Sequence, residues 1–139
     1  TDAATERFHT LAGDIQQTEA ELSRVSDLMA AVVQYAKTRP AFDGYKAAKY
    51  SRKYLAEHEA ELADYRAAKA TMAELLGGEK LPKMDVLKEK RRQLAAQKKA
   101  FYLEYRKAQQ DMRELVAVKG SVDHLRGLTN NQRNKEQAR

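Results

Sequence analysis

Cysteine and tryptophan are absent from this 139-residue chain, and proline occurs only twice. Without cysteine there is no disulfide frame and no thiolate to act as nucleophile or metal ligand. No run of apolar residues is long enough to span a bilayer, and no secretory signal pattern appears. These absences fit a bacterial cytoplasmic protein that makes no membrane contact. Large apolar side chains are scarce too. The hydrophobic fraction is 42%, but it holds only three Phe and four Met, and much of the rest is alanine. Such a chain lines a narrow seam and cannot fill a wide core. What is abundant is Ala, Leu, Glu, Lys, Gln and Arg, all strong helix formers. Together with a charged fraction of 33%, this is the profile of long packed helices or coiled coil. The chain opens at Thr1 already inside a charged helical pattern, which reads as a piece of something longer.

Catalytic constellations are also missing. His9, His58 and His124 are the three histidines, and none has a partner at metal-ligand spacing. Gly77-Gly78 marks a helix stop and does not resemble a phosphate-binding loop. The acidic residues Glu57, Glu59, Glu61 and Asp64 read as a solvated helix face. A tyrosine hydroxyl can attack phosphate only when a metal or a base activates it, and nothing near the seven tyrosines does so. The expectation is a non-enzymatic fragment with no catalytic residue, no metal and no cofactor.

The formal charge of +6 is unevenly spread. Residues 1–36 carry −4 and residues 37–54 carry +5, while residues 55–79 carry −4 and residues 80–139 carry +9. Two basic blocks can therefore meet a polyanion, and two acidic ones cannot.

Periodicity predicts an all-α fold: an elongated, antiparallel, coiled-coil-like helical bundle with three long helices and one short one. The first helix spans about 2–37, with Phe8, Leu11, Ile15, Thr18, Leu22, Val25, Met29, Val32 and Ala36 on an a/d seam. Thr38-Arg39-Pro40 is expected to end it, because the residue before proline disfavours helical geometry. A short helix then leads to Ser51, the expected N-cap of a third helix. Whether those two form one kinked helix stays open. The third helix buries Leu55, His58, Leu62, Tyr65, Met72 and Leu76 and stops at Gly77-Gly78. The fourth runs from about Lys83 to about Arg126. Met84, Leu87, Leu94, Phe101, Tyr105, Ala108, Met112, Leu115, Val122 and Leu125 form its stripe. Residues 1–127 form one helical module, and 128–139 a polar tail that frays.

Between the first two acidic blocks lies a basic elbow rich in tyrosine. Lys37, Arg39, Lys46, Lys49, Arg52 and Lys53 can neutralise phosphates, and Tyr50 and Tyr54 can stack on unpaired bases. A second basic run supplies Lys90, Arg91, Arg92, Lys98 and Lys99. These thirteen residues are the candidate nucleic-acid contacts. The plain alternative is that the tyrosines pack helix seams and the cations are solvated.

The strings "YAKTRPAFDGYKAAKYSRKYLAEHE" and "LLGGEKLPKMDVLK", with "GLTNNQRNKEQ" near the end, resemble the helical C-terminal region of relaxase/mobilization nucleases from Firmicutes mobile elements. The resemblance covers nearly the whole chain. Such nucleases nick DNA at an origin of transfer with an N-terminal domain that carries a histidine-held metal. No catalytic residue can be carried onto this chain. The resemblance implies an accessory segment that helps bind origin DNA or assemble the relaxosome. The alternative is a coiled-coil interaction or spacer module that docks on coupling or relaxosome proteins and touches no DNA. The sequence leaves the oligomeric state open.

Overall fold

The computed structural model describes residues 2–137. Four helices follow one another: α1 (Asp2–Ala47), α2 (Arg52–Glu57), α3 (Glu59–Leu76) and α4 (Met84–Gln137). No strand occurs among the described residues. The fold is an all-α helical bundle with three long helices and one short one. Its residues fall into two compact units, Thr18–Gln97 and the pairing of Thr1–Gln17 with Lys98–Arg139.

In the first of these units, α1 and α3 run antiparallel, because Arg24 reaches Leu75 while Tyr35 stacks on Tyr65. The start of α4 packs on the same stretch of α1. Val25, Leu28, Met29 and Leu87 form the buried cluster, with Val32, Met72, Leu75 and Met84 packed around it. Leu28 is only 1% exposed, yet it lies outside the expected a/d seam. Two helices flank α1 here, so a broader stripe with i, i+3, i+4 and i+7 spacing is covered. Ala36, expected in the seam, is exposed.

In the other unit, α1 and α4 also pair antiparallel. Arg7 bonds Glu104, Phe8 stacks on Tyr105 with ring centroids 4.8 Å apart, and Leu11, Ile15 and Ala108 are buried. Beyond Met112 the expected stripe of α4 comes to the surface. Leu115 is 51% exposed and Leu125 62%. Val122, too, is exposed. The pattern is apolar at these positions, yet their side chains face the surface.

Two expected helix ends are corrected. Pro40 does not end the first helix, which continues through it to Ala47. Pro40 lies on the exposed side of α1. The carbonyl left without a donor belongs to Ala36, which is exposed as well, so water can satisfy it. Neither does α4 end near Arg126; it continues to Gln137. Gly120 and Gly127 each cost about 1 kcal/mol relative to alanine in a helix interior, yet the helix runs through both. Residues 138 and 139 of the expected frayed tail lie outside the described residues.

Candidate functional site

The elbow is built from the end of α1. Ala48 and Lys49 donate backbone hydrogen bonds to the carbonyls of Gly44 and Lys46, each at 2.9 Å. Tyr50 donates to the carbonyl of Tyr45, also at 2.9 Å. The last two form the nested pair of a Schellman cap, in which the residue past the cap sits in the left-handed region. That position usually holds glycine. Here Lys49 has φ 55° and Tyr50 φ 59°. The hydrophobic contact that accompanies such a cap is the edge-on packing of Tyr45 and Tyr50, with centroids 5.2 Å apart. Ser51 is an N-cap, its hydroxyl accepting from the Tyr54 amide at 3.3 Å, but it caps the six-residue α2; the third helix expected to run on from it to Leu76 is interrupted at His58 and resumes as α3.

Most of the elbow tyrosines are structural. Tyr54 stacks on His58 at 4.1 Å and on Tyr45 at 6.0 Å. Its hydroxyl donates to the Ala41 carbonyl at 2.8 Å. A Cβ on Gly44 would collide with the Tyr54 hydroxyl and ring, so glycine is what lets the ring lie against α1. Further along, Tyr65 is sandwiched between Tyr35 and Phe42, at 5.1 Å and 4.4 Å. The Tyr65 phenol is pushed up from its usual pKa, first by a hydrogen bond with Tyr35 and then by burial. Tyr54 is therefore occupied on its ring and on its hydroxyl. Tyr50, 57% exposed, is the elbow tyrosine that presents most surface.

The candidate cations divide by what they touch. Arg39 pairs loosely with Asp43 at 3.9 Å. Lys90 pairs with Glu21 at 2.8 Å. Arg92 is held by both Glu89 oxygens, at 2.9 and 2.6 Å. Lys98 lies over the Tyr102 ring at 6.0 Å, and Lys46 over the Phe42 ring at 5.7 Å. Lys37, Lys46, Lys49, Arg52, Lys53, Arg91 and Lys99 are exposed. None of these seven has a carboxylate within ion-pair distance among the described residues. Arg52 lines a shallow groove between α2 and α3 with Leu55, Glu59, Leu62 and Arg66. Arg66 is a further cation that the sequence pattern did not single out; its place beside Arg52 comes only from the packing of α3 against α2.

The two basic runs within the larger unit do not converge. Lys90 sits beside Glu21, whereas the elbow cations begin at Lys37 and gather from Lys46 onward. At 1.5 Å per residue along α1, Glu21 is about 24 Å from Lys37 and about 38 Å from Lys46. Lys98 and Lys99 belong to the other unit. The strongest cluster is therefore Lys46, Lys49, Arg52 and Lys53, gathered around the tight turn, with Tyr50 at its tip.

A second feature holds the far end of α3. The Arg24 guanidinium donates to the Leu75 carbonyl at 3.0 Å and to both oxygens of Glu21, at 3.1 and 2.9 Å. With Arg24 and Lys90 beside it, the Glu21 carboxyl is lowered from 4.5 to about 2. This is a cap made across helices, since Leu75 has one of the last carbonyls of α3.

No group of three or more potential metal ligands occurs among the described residues. Glu57, Glu59, Glu61 and Asp64 are all exposed. No described helix is long and apolar enough to cross a membrane. Compared with known proteins, the chain matches no family model, no curated sequence and no solved structure.

Proposed function

We propose that this helical bundle is a non-catalytic accessory segment of a relaxase, and that its elbow contacts the phosphates of origin DNA. The observation that carries this reading is the cluster Lys46, Lys49, Arg52 and Lys53. Four exposed cations around one tight turn have no carboxylate partner within ion-pair distance among the described residues. Cations left unpaired in this way can exchange their counterions for phosphates. Tyr50 at the tip can stack on one unpaired base. Tyr54 drops out of the contact set, because its ring and hydroxyl are committed to α1 and His58. The resemblance of the elbow string to relaxase C-terminal regions supplies the biological setting.

Fluorescence anisotropy with single-stranded and duplex DNA tests the reading. Neutralising about four phosphates on a single strand gives a slope of log K against log salt near −3. Changing Lys46, Lys49, Arg52 and Lys53 together to Gln flattens that slope while helicity stays, since Gln is a comparable helix former. Tyr50→Ala weakens single-strand binding more than duplex binding. No binding at low salt with an intact fold rejects the DNA contact. The exposed apolar stripe of α4 would then favour the second reading, a coiled-coil interaction module for relaxosome or coupling proteins.

A further inference from the structure

Arg52, Glu59 and Arg66 follow one another at steps of seven residues along α2 and α3. Seven residues make nearly two helical turns, so such steps stay on one face. In the fold all three line the groove of about 450 Å³ that α2 and α3 form. Clefts of this volume suit small ligands. Leu55, Ala56 and Ala63 supply its apolar surface. The three charged side chains are exposed. None has an ion-pair partner among the described residues.

Arg52 belongs to the elbow cluster, so the groove continues that surface, and Arg66 adds a cation beyond it. A guanidinium suits phosphate because its planar fork can bind two oxygens at once. Glu59 suits phosphate badly. A carboxylate between two phosphate contacts repels the strand, unless it accepts hydrogen bonds from another part of the nucleotide. Bases differ in what they offer it. On its Watson–Crick edge guanine presents two adjacent donors, the N1–H and the N2 amine. Adenine and cytosine present one amine beside an acceptor nitrogen, and thymine presents one N–H between two carbonyls. An ionised carboxylate has two acceptor oxygens and no donor, so guanine is the base that satisfies both oxygens.

We propose that the groove between α2 and α3 reads one unpaired guanine in single-stranded DNA. Arg52 and Arg66 hold phosphates on either side of that nucleotide. The base lies against Leu55, Ala56 and Ala63, and the Glu59 oxygens accept from its N1–H and N2 amine. The inference rests on the DNA contact at the elbow and gives that contact a base preference. A duplex occupies the same edge with its own base pairing, so the groove takes an unpaired strand.

Fluorescence anisotropy at low salt tests the proposal with an oligothymidylate of about twelve nucleotides, unchanged or with one central base replaced. The strand with one guanine is expected to bind about tenfold tighter than the all-thymine strand. Adenine or cytosine at that place gives little gain. Hypoxanthine, which lacks the N2 amine, loses most of the guanine gain. Glu59→Ala removes the preference and tightens binding of the all-thymine strand, since a repelling charge is gone, while alanine keeps the helix. Arg66→Gln weakens every strand and lowers the salt slope by about 0.7. Equal binding of all strands by the wild type overturns the groove reading and leaves the elbow contact standing. A guanine preference that survives Glu59→Ala also overturns it, by limiting Glu59 to the favourable charge at the start of α3. A polyglutamate competitor that displaces the guanine and all-thymine strands at the same concentration overturns it in favour of an acidic peptide. No binding of any strand, with helicity intact, overturns the elbow contact and the groove together.

Discussion

The chain interrupts its helices at two places with opposite chemistry, reversing direction after α1 and keeping its direction after α3. After α3 it uses two glycines, Gly77 at φ 54° and Gly78 at φ 88°, and the Gly77 amide bonds the Ala73 carbonyl at 3.1 Å. After α1 it uses no glycine at all. Lys49 and Tyr50 occupy the left-handed region instead. Glycine enters that region without steric penalty, whereas other residues pay roughly 1–2 kcal/mol. At the elbow the deficit is offset by aromatic packing, with Tyr45 on Tyr50 and Tyr54 bonded to Ala41. The elbow is held by its surroundings. The glycine break is held by its own backbone preferences, with Arg24 capping the end of α3.

That contrast can be broken most severely at Gly44. Gly44→Ala normally favours a helix, yet here the new methyl group meets Tyr54. A net loss of about 1–3 kcal/mol is expected from overpacking, read as a lower denaturation midpoint. Gly13→Ala, with nothing within 4 Å of its added Cβ, should instead stabilise by about 0.5–1 kcal/mol. A stabilised Gly44→Ala would show that Tyr54 does not hold the elbow.

Next in size is the hydroxyl itself. Tyr54→Phe removes the donor to the Ala41 carbonyl and should cost about 1 kcal/mol, measured by urea denaturation. The same change should lessen the Gly44→Ala penalty, because the hydroxyl is the nearest atom to the added carbon. A double-mutant cycle reads that coupling. At the glycine break, Gly77→Ala should also cost about 1 kcal/mol, since alanine is strained at its positive φ.

Lys49→Gly sharpens the comparison in the other direction. It relieves the left-handed strain and should stabilise by about 0.5–1 kcal/mol, reduced by the greater freedom of glycine in the unfolded chain. A loss of stability would mean that the Lys49 side chain holds something that glycine cannot.

The smallest effect concerns the brace behind the glycine break. The folded-state pKa of Glu21 is depressed from 4.5 to about 2. Its contribution is therefore complete above about pH 4.5 and lost as pH falls toward 2. The Tm advantage of the wild type over Glu21→Gln should hold at pH 7 and shrink across that window. An advantage that persists at pH 2 would show that the brace does not depend on the carboxylate charge.

Much of the molecule was legible because it depends on local rules. Helix-forming residues and apolar spacing mark all the long helices. Gly77-Gly78 marks a true stop, and Ser51 a true cap. The misreadings came from signals whose meaning depends on a partner. Proline reads as a break, yet Pro40 lies on the exposed side of α1 and leaves unpaired only the carbonyl of an exposed residue. Leu28 falls outside a two-stranded seam, yet it is buried where a second helix packs on α1. The stripe of distal α4 is apolar in sequence and exposed in the fold. The candidate site was half legible: the basic elbow could be read directly, but the commitment of Tyr54 to Ala41 could not, because its contact with Gly44 spans ten residues of chain.

By itself, then, the sequence determined helicity, the glycine stop and the placement of charge along the chain, because each depends on neighbours within a turn or two. Only the tertiary structure decided three further matters. It decided which tyrosines are enclosed, because a ring is committed only when another helix comes within van der Waals reach. It left Lys37, Lys46, Lys49, Arg52 and Lys53 without carboxylate partners among the described residues while pairing Lys90 with Glu21 of α1, because ion pairing depends on side chains meeting within about 4 Å. And it kept the two basic runs of the larger unit apart along α1, because helix length sets distance at a fixed rise per residue.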